Sequence, residues 1–211
     1  MLAIAGGKGG SGKTTTALGL ARAYARRGRD PIVVDCDPDM PDLHHRAGIE
    51  FSSGIDRLAA GHRIESVCAS ATTVPGVRLV TAGDRSNVDG ALRELAHWHG
   101  PVLLDCPPGV GPDASRPLRH ARRALIVSTD QPESIGDGKT TAQVARELDV
   151  EVVGALLRVM TTECRTRWTD DSPVLARVDT VETPLNHPQV RAVWEELGGQ
   201  IPVHRPVSPR S

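Results

Sequence analysis

The sequence predicts an α/β fold, a three-layer sandwich in which a mostly parallel sheet of seven or eight strands is flanked by helices. Three observations predict it. Short apolar runs alternate with stretches whose apolar positions recur at helical spacing, the pattern of strand–helix–strand units that build a parallel sheet. The first run, Leu2-Ala3-Ile4-Ala5, leads through a glycine loop into a helix that begins at Lys13 and carries Ala17, Leu20, Ala21 and Tyr24 on one face. Two later runs end in aspartate, at Asp35 and Asp105. Strand C-termini are where ligand chemistry gathers in open α/β sheets.

Composition sets limits. A chain of 211 residues has room for one α/β domain with a full core and not for two comfortable ones. The expected division is a domain over 1–200 and a proline-containing tail over 201–211. With 39% hydrophobic and 24% charged residues the chain reads as globular, and with aromatics at 2% its core must be aliphatic. A formal net charge of -1 gives no bulk attraction to nucleic acid or anionic membrane, so such contacts would need a local patch. No apolar run approaches the roughly 18 residues of a membrane span, and the N-terminus enters a core strand directly. A cytoplasmic location is expected. Cys36, Cys68, Cys106 and Cys164 form no C-x-x-C pair. That argues against a zinc clip within one chain and for Cys36 and Cys106 as small core residues.

The loop carries the chemistry. Gly7, Gly12, Lys13 and Thr14 satisfy G-x-x-x-x-G-K-[ST], in which small residues let backbone N–H groups converge on phosphate oxygens at a helix N-terminus. Lys8 is a second signal. The chain takes its positive charge almost wholly from arginine, its only lysines being Lys8, Lys13 and Lys139, so two of three sit in this loop. A compact ammonium suits a crowded phosphate cradle better than a planar guanidinium.

Along the chain, Arg26-Arg27-Gly28 closes the first helix, and Pro31–Asp35 is the second strand. The acidic, proline-rich stretch from Cys36 to Leu43 reads as a loop. Residues 52–70 form a short helical excursion that Ser52 or Ser53 can cap and Gly61 stops. Gly76–Gly83 is a third strand, Val88–Trp98 an amphipathic helix, and Pro101–Asp105 the fourth strand. His97 and His99 flank Trp98 near that helix end and are assigned to the surface. Pro112–His120 is a short helix, Ala124–Thr129 a fifth strand, and the turn Asp130–Ser134 precedes a helix with Val144, Ala145 and Leu148. Val152–Leu157 is the sixth strand. Residues 160–173 lack periodicity and read as a loop, and Val174–Val178 is the seventh strand. His187-Pro188 opens a last helix that Gly198-Gly199 closes.

Asp105 is placed where Walker B chemistry needs a carboxylate. In P-loop enzymes the loop Ser/Thr and this aspartate hold Mg²⁺, directly or through water, so Thr14 and Asp105 are the expected pair.

The run Lys8-Gly9-Gly10-Ser11-Gly12-Lys13-Thr14 matches K-G-G-x-G-K-[ST], and with it the N-terminus resembles the deviant Walker A loop of the MinD/ParA group of P-loop ATPases. The resemblance covers roughly residues 1–200 in element order. It implies ATP and Mg²⁺ as ligands and a loop in which Gly7, Lys8, Gly9, Gly10, Ser11, Gly12, Lys13, Thr14 and Thr15 bind the nucleotide. Lys13 would act in its own subunit and Lys8 across a dimer interface. Asp35-Cys36-Asp37 resembles the D-x-D switch loop, which gives Asp37 the attacking water. Relatives often carry Asn-Leu where this chain has Asp42-Leu43. Asp105-Cys106-Pro107-Pro108-Gly109 resembles D-x-P-x-G, which makes Gly109 a second switch, and Asp130–Ser134 resembles the T-x-P-E-x-S turn. Where the family places an adenine-reading asparagine this chain has Arg158, and Pro184 lies where relatives wrap the base.

The expected function is an ATP-hydrolysing switch that homodimerises with ATP, is stimulated by an activating protein, and positions a cellular component. DNA binding through Arg116, Arg119, Arg122 and Arg123 competes with a plain solvated face, and the tail lacks an amphipathic membrane helix. Alternatives on the same scaffold are a metal or cluster maturation factor and a metabolic ligase.

Overall fold

A computed structural model describes residues 1–160, 168 and 171–201. Residues 161–167, 169 and 170 of the expected loop, and the tail beyond Ile201, lie outside the described residues. The elements are β1 (Leu2–Ala5), α1 (Lys13–Arg26), β2 (Ile32–Asp35), α2 (Leu43–Ala47), α3 (Gly54–Ala59), α4 (Ile64–Val67), β3 (Ala69–Ser70) and β4 (Arg78–Val80). After a 3-10 turn at Arg85–Asn87 come α5 (Val88–Leu95), β5 (Val102–Asp105), α6 (Pro112–His120), β6 (Arg123–Thr129), α7 (Pro132–Glu147), β7 (Glu151–Val159), β8 (Val174–Asp179) and α8 (Pro188–Gln200).

The strands form one sheet of eight in the order β3-β4-β2-β5-β1-β6-β7-β8. Every pairing is parallel except the short antiparallel β3–β4 edge. The central strands β1, β2 and β5 are buried at every residue, as parallel strands covered on both faces must be. Alternation then assigns the layers. Ala3 and Ala5 of β1 face a core shared with α3, α5, α6 and α7, through residues such as Ile55, Leu92, Leu118 and Ala142. Leu2 and Ile4 face the opposite core with α1, α2 and α8, through Leu18, Leu43 and Trp194.

The acidic stretch after β2 is a loop as far as Asp42, and α2, an element not expected from the sequence, begins at Leu43, whose N–H donates to Asp35 Oδ2 at 3.3 Å. Three local expectations need correction. The excursion over 52–70 is two helices and an edge strand. Neither serine caps α3 with its side chain: Gly54 N donates instead to Thr81 Oγ1 at 2.9 Å. The helix expected over Val88–Trp98 ends at Leu95. Gly198-Gly199 does not close α8, which continues to Gln200. A side chain on Gly198 would meet Ala23 Cβ at 3.1 Å, so the glycine serves close packing of α8 on α1. Ile201 is buried, and its carbonyl accepts from the Tyr24 hydroxyl at 2.8 Å.

Candidate nucleotide site

The loop between β1 and α1 is shaped by what its glycines touch. A Cβ on Gly6 would lie 2.2 Å from the Val127 carbonyl oxygen and one on Gly7 2.3 Å from Asp137 Cβ, so both pack under neighbouring backbone. Gly9 and Gly10 have nothing within 4 Å of such an atom and form the open rim. Gly12, at φ 103°, turns the chain into α1 through a conformation that costs glycine least. No side chain caps α1 and its first turn holds no acid, so its N-terminal amides and positive dipole end face the loop.

Lys13 lies beneath that rim, 8% exposed, its Nζ donating to the Lys8 carbonyl at 3.2 Å. Burial lowers its pKa, and the negative charge of Asp105 offsets part of that. Ser11 Oγ is buried with no hydrogen-bond partner among the described residues. A glycine rim, a buried ammonium, an uncapped helix start and an orphaned hydroxyl together fit a phosphate chain.

The carboxylates converge because of sheet register. Asp35 and Asp105 are paired residues on adjacent parallel strands, and Asp105 pairs on its other side with Ile4. Burial pushes Asp105 up to about 8, Asp35 adding to the rise and the Thr14 hydroxyl and Lys13 opposing it. Burial likewise raises Asp35 to about 7 despite N–H groups of Asp37 and Leu43 donating to it. Thr14 Oγ1 donates to Asp42 Oδ1 at 3.1 Å. The set is all oxygen, which suits Mg²⁺, yet among the described residues no three His, Cys, Asp or Glu side chains are grouped as a metal site. A divalent cation here would have to share its coordination with the nucleotide's own phosphates.

The remaining expected residues fall into two places. Lys8 faces outward and pairs with Glu133 Oε2 at 3.4 Å, at the start of α7. Asp37 Oδ1 accepts from the N–H groups of Asp39 and Met40, and Gly109 lies in the loop after β5. Arg158 and Pro184 line a pocket beside the loop together with Ser11, Gly12, Thr15, Thr180 and Trp194. Among the described residues, Arg158 Nε and Trp194 Nε1 are buried without hydrogen-bond partners. Sequence reasoning gave no site role to Asp42, Glu133 or Trp194. Asp42 stood out only as a departure from the family's asparagine, and Trp194 read as one more apolar position on α8.

A family model for the CobQ/CobB/MinD/ParA nucleotide binding domain matches residues 2–161. An uncharacterized ATP-binding protein of Methanocaldococcus jannaschii is 27% identical over 206 residues, which cover 92% of this chain and 74% of that one. The septum site-determining protein MinD of Synechocystis sp. is 26% identical over 167 residues, covering 74% of this chain and 62% of that MinD, less than two thirds of its length. In fold, the chain superposes on MinD of Pyrococcus horikoshii OT3, solved as a complex with Mg-ADP, with a TM-score of 0.80, 21% identity and 94% coverage of each chain. Matched by that family model over most of its length and folded as its geometry requires, the chain belongs to the CobQ/CobB/MinD/ParA family of nucleotide-binding domains.

Proposed function

We propose that this chain is an ATP-driven molecular switch that binds ATP with Mg²⁺, pairs with a second copy of itself, and resets by hydrolysis. The observation that carries the reading is how the two loop lysines are divided. Lys13 is folded beneath its own phosphate cradle, whereas the side chain of Lys8 is 48% exposed and turned away from that cradle onto Glu133. An exposed ion pair of this kind is worth only about 0–1 kcal/mol, so it is readily exchanged for a phosphate presented by a partner.

Lys13 and the loop amides would hold the β- and γ-phosphates, and Thr14 and Asp105 would hold Mg²⁺, which neutralises charge on the phosphate oxygens. Asp37 would orient the attacking water through Oδ2, which takes no hydrogen bond among the described residues. Catalysis of this type is positioning and electrostatics. Arg158, Thr180 and Pro184 would enclose the base. The likeness to MinD supports a role in positioning a cellular component, with turnover stimulated by a second protein. Support for DNA is thinner, since Arg116 lies 3.9 Å from Asp89 and Arg123 pairs with Glu151 at 2.9 Å, which dilutes the arginine cluster. Among the described residues no helix is long and apolar enough to cross a membrane.

The test is molecular mass and phosphate release with ATP and Mg²⁺, for the wild type and Lys8→Ala. The wild type should double its mass with ATP and not with ADP. Lys8→Ala should stay monomeric, bind nucleotide, and hydrolyse about 100-fold more slowly. A Lys8→Ala chain that dimerises and hydrolyses normally would overturn the reading. Repeating the assay with DNA and with liposomes identifies the surface that is bound.

A further inference from the structure

We propose that Asp42 is a positioning residue for the cation half of the site, acting by accepting the hydrogen bond of the Thr14 hydroxyl. The inference rests on the nucleotide reading above and adds to it a residue that the phosphate-loop and strand-end motifs do not contain.

Three observations carry it. Asp42 occupies the N-cap position of α2, where an aspartate ordinarily accepts from the helix's own amides, yet its side chain makes no capping bond. The first amide of α2 is taken by Asp35 instead. The Asp42 carboxylate is divided between two other partners: Oδ1 accepts from Thr14 Oγ1 at 3.1 Å and Oδ2 from Arg46 Nε at 2.8 Å. Finally, the same hydroxyl lies within hydrogen-bonding reach of Asp105, so its one proton is contested by two carboxylates, and the 3.1 Å bond is the one to Asp42.

A threonine hydroxyl has one proton and two lone pairs. If the proton went to Asp105, that bond would occupy an oxygen of the very carboxylate expected to face the cation. Directed to Asp42, it leaves both the Thr14 lone pairs and the Asp105 oxygens available on the cation side. It also fixes the hydroxyl rotor and makes its oxygen more electron-rich. Arg46, on the next turn of α2, holds the Asp42 carboxylate at its other oxygen. An asparagine here could accept the same proton through its carbonyl oxygen but would bring no negative charge.

The readout is the coupling between Mg²⁺ and nucleotide, taken as the ratio of ADP dissociation constants in EDTA and in excess Mg²⁺. Outer partners of metal ligands typically contribute roughly 10- to 100-fold to metal affinity. Asp42→Ala should lose the coupling by about that factor while binding ADP in EDTA as the wild type does. Asp42→Asn should retain an intermediate coupling. Arg46→Ala separates this from a structural role for the ion pair, since it breaks that contact and leaves the Thr14 bond, so its coupling should stay near wild type.

Wild-type coupling in Asp42→Ala, or equal loss in Arg46→Ala, overturns the proposal. A destabilised Asp42→Ala would leave Asp42→Asn to decide the matter: coupling as in the wild type, or loss of ADP affinity in EDTA, overturns it. Failure of the wild type to bind ADP under either condition would instead remove the nucleotide reading itself, and the proposal with it.

Discussion

Asp35 and Asp105 face each other across two adjacent strand ends, and the nucleotide-free protein must tolerate the pair without enough positive charge. Burial raises them to about 7 and about 8, against about 3.9 in an unfolded chain. Between pH 4 and 8 the folded state therefore binds more protons than the unfolded state, and stability falls as pH rises through that window. The nucleotide-free protein should have a lower urea midpoint at pH 8.5 than at pH 6. Asp105→Asn should flatten that slope and be more stable than the wild type at pH 8.5. In a chain of this size each kcal/mol recovered raises the thermal midpoint by about 2–4 °C. Equal slopes in the two proteins would show that Asp105 ionises freely. The strand-end acids are legible one at a time in the sequence, but their antagonism is not, because it arises from register across β2 and β5.

Close approaches decide how the elements around the site pack on one another. Gly19, in the middle of α1, lies against the Trp194 ring of α8, where an added Cβ would sit 2.2 Å from the indole. Trp194 in turn lines the pocket beside the phosphate loop. Gly19→Ala should therefore push α8 away from α1, destabilise the fold by about 1–3 kcal/mol, and shift tryptophan emission. A variant with unchanged stability and emission would mean that α8 can move without cost. The nine-residue α6 is readable from sequence at both ends, Pro112 marking its first position and His120 its last. The five-residue α2 is not, because its buried Leu43, His44 and Ala47 span barely more than one turn and its start is fixed by Asp35 from another element. Gly198 fails as a stop signal for a similar reason. A glycine can end a helix or let another helix come close, and only the neighbour distinguishes them.

On the scale of the whole molecule, the sheet order brings distant segments to one edge. The loop after β1, the ends of β2 and β5, and Arg158 on β7 all border the candidate site. Ligand binding should thus stabilise the entire domain rather than one loop. At 100 times its dissociation constant, ADP with Mg²⁺ should add about 2.7 kcal/mol, a rise of roughly 5–11 °C in the thermal midpoint. The absence of any rise under saturating conditions would contradict a single site built from all these strands.

By itself the sequence determined the fold class, the phosphate loop and the two acidic strand ends, because each rests on contiguous residues whose spacing is dictated by local backbone geometry. Only the tertiary structure decided that Asp42 reaches Thr14, that Lys8 turns to Glu133, and that Arg158 and Trp194 share a pocket. Those pairings join residues between 28 and 125 positions apart in the hydrogen-bonded cases. They follow from the order in which parallel strands assemble, which no local pattern encodes.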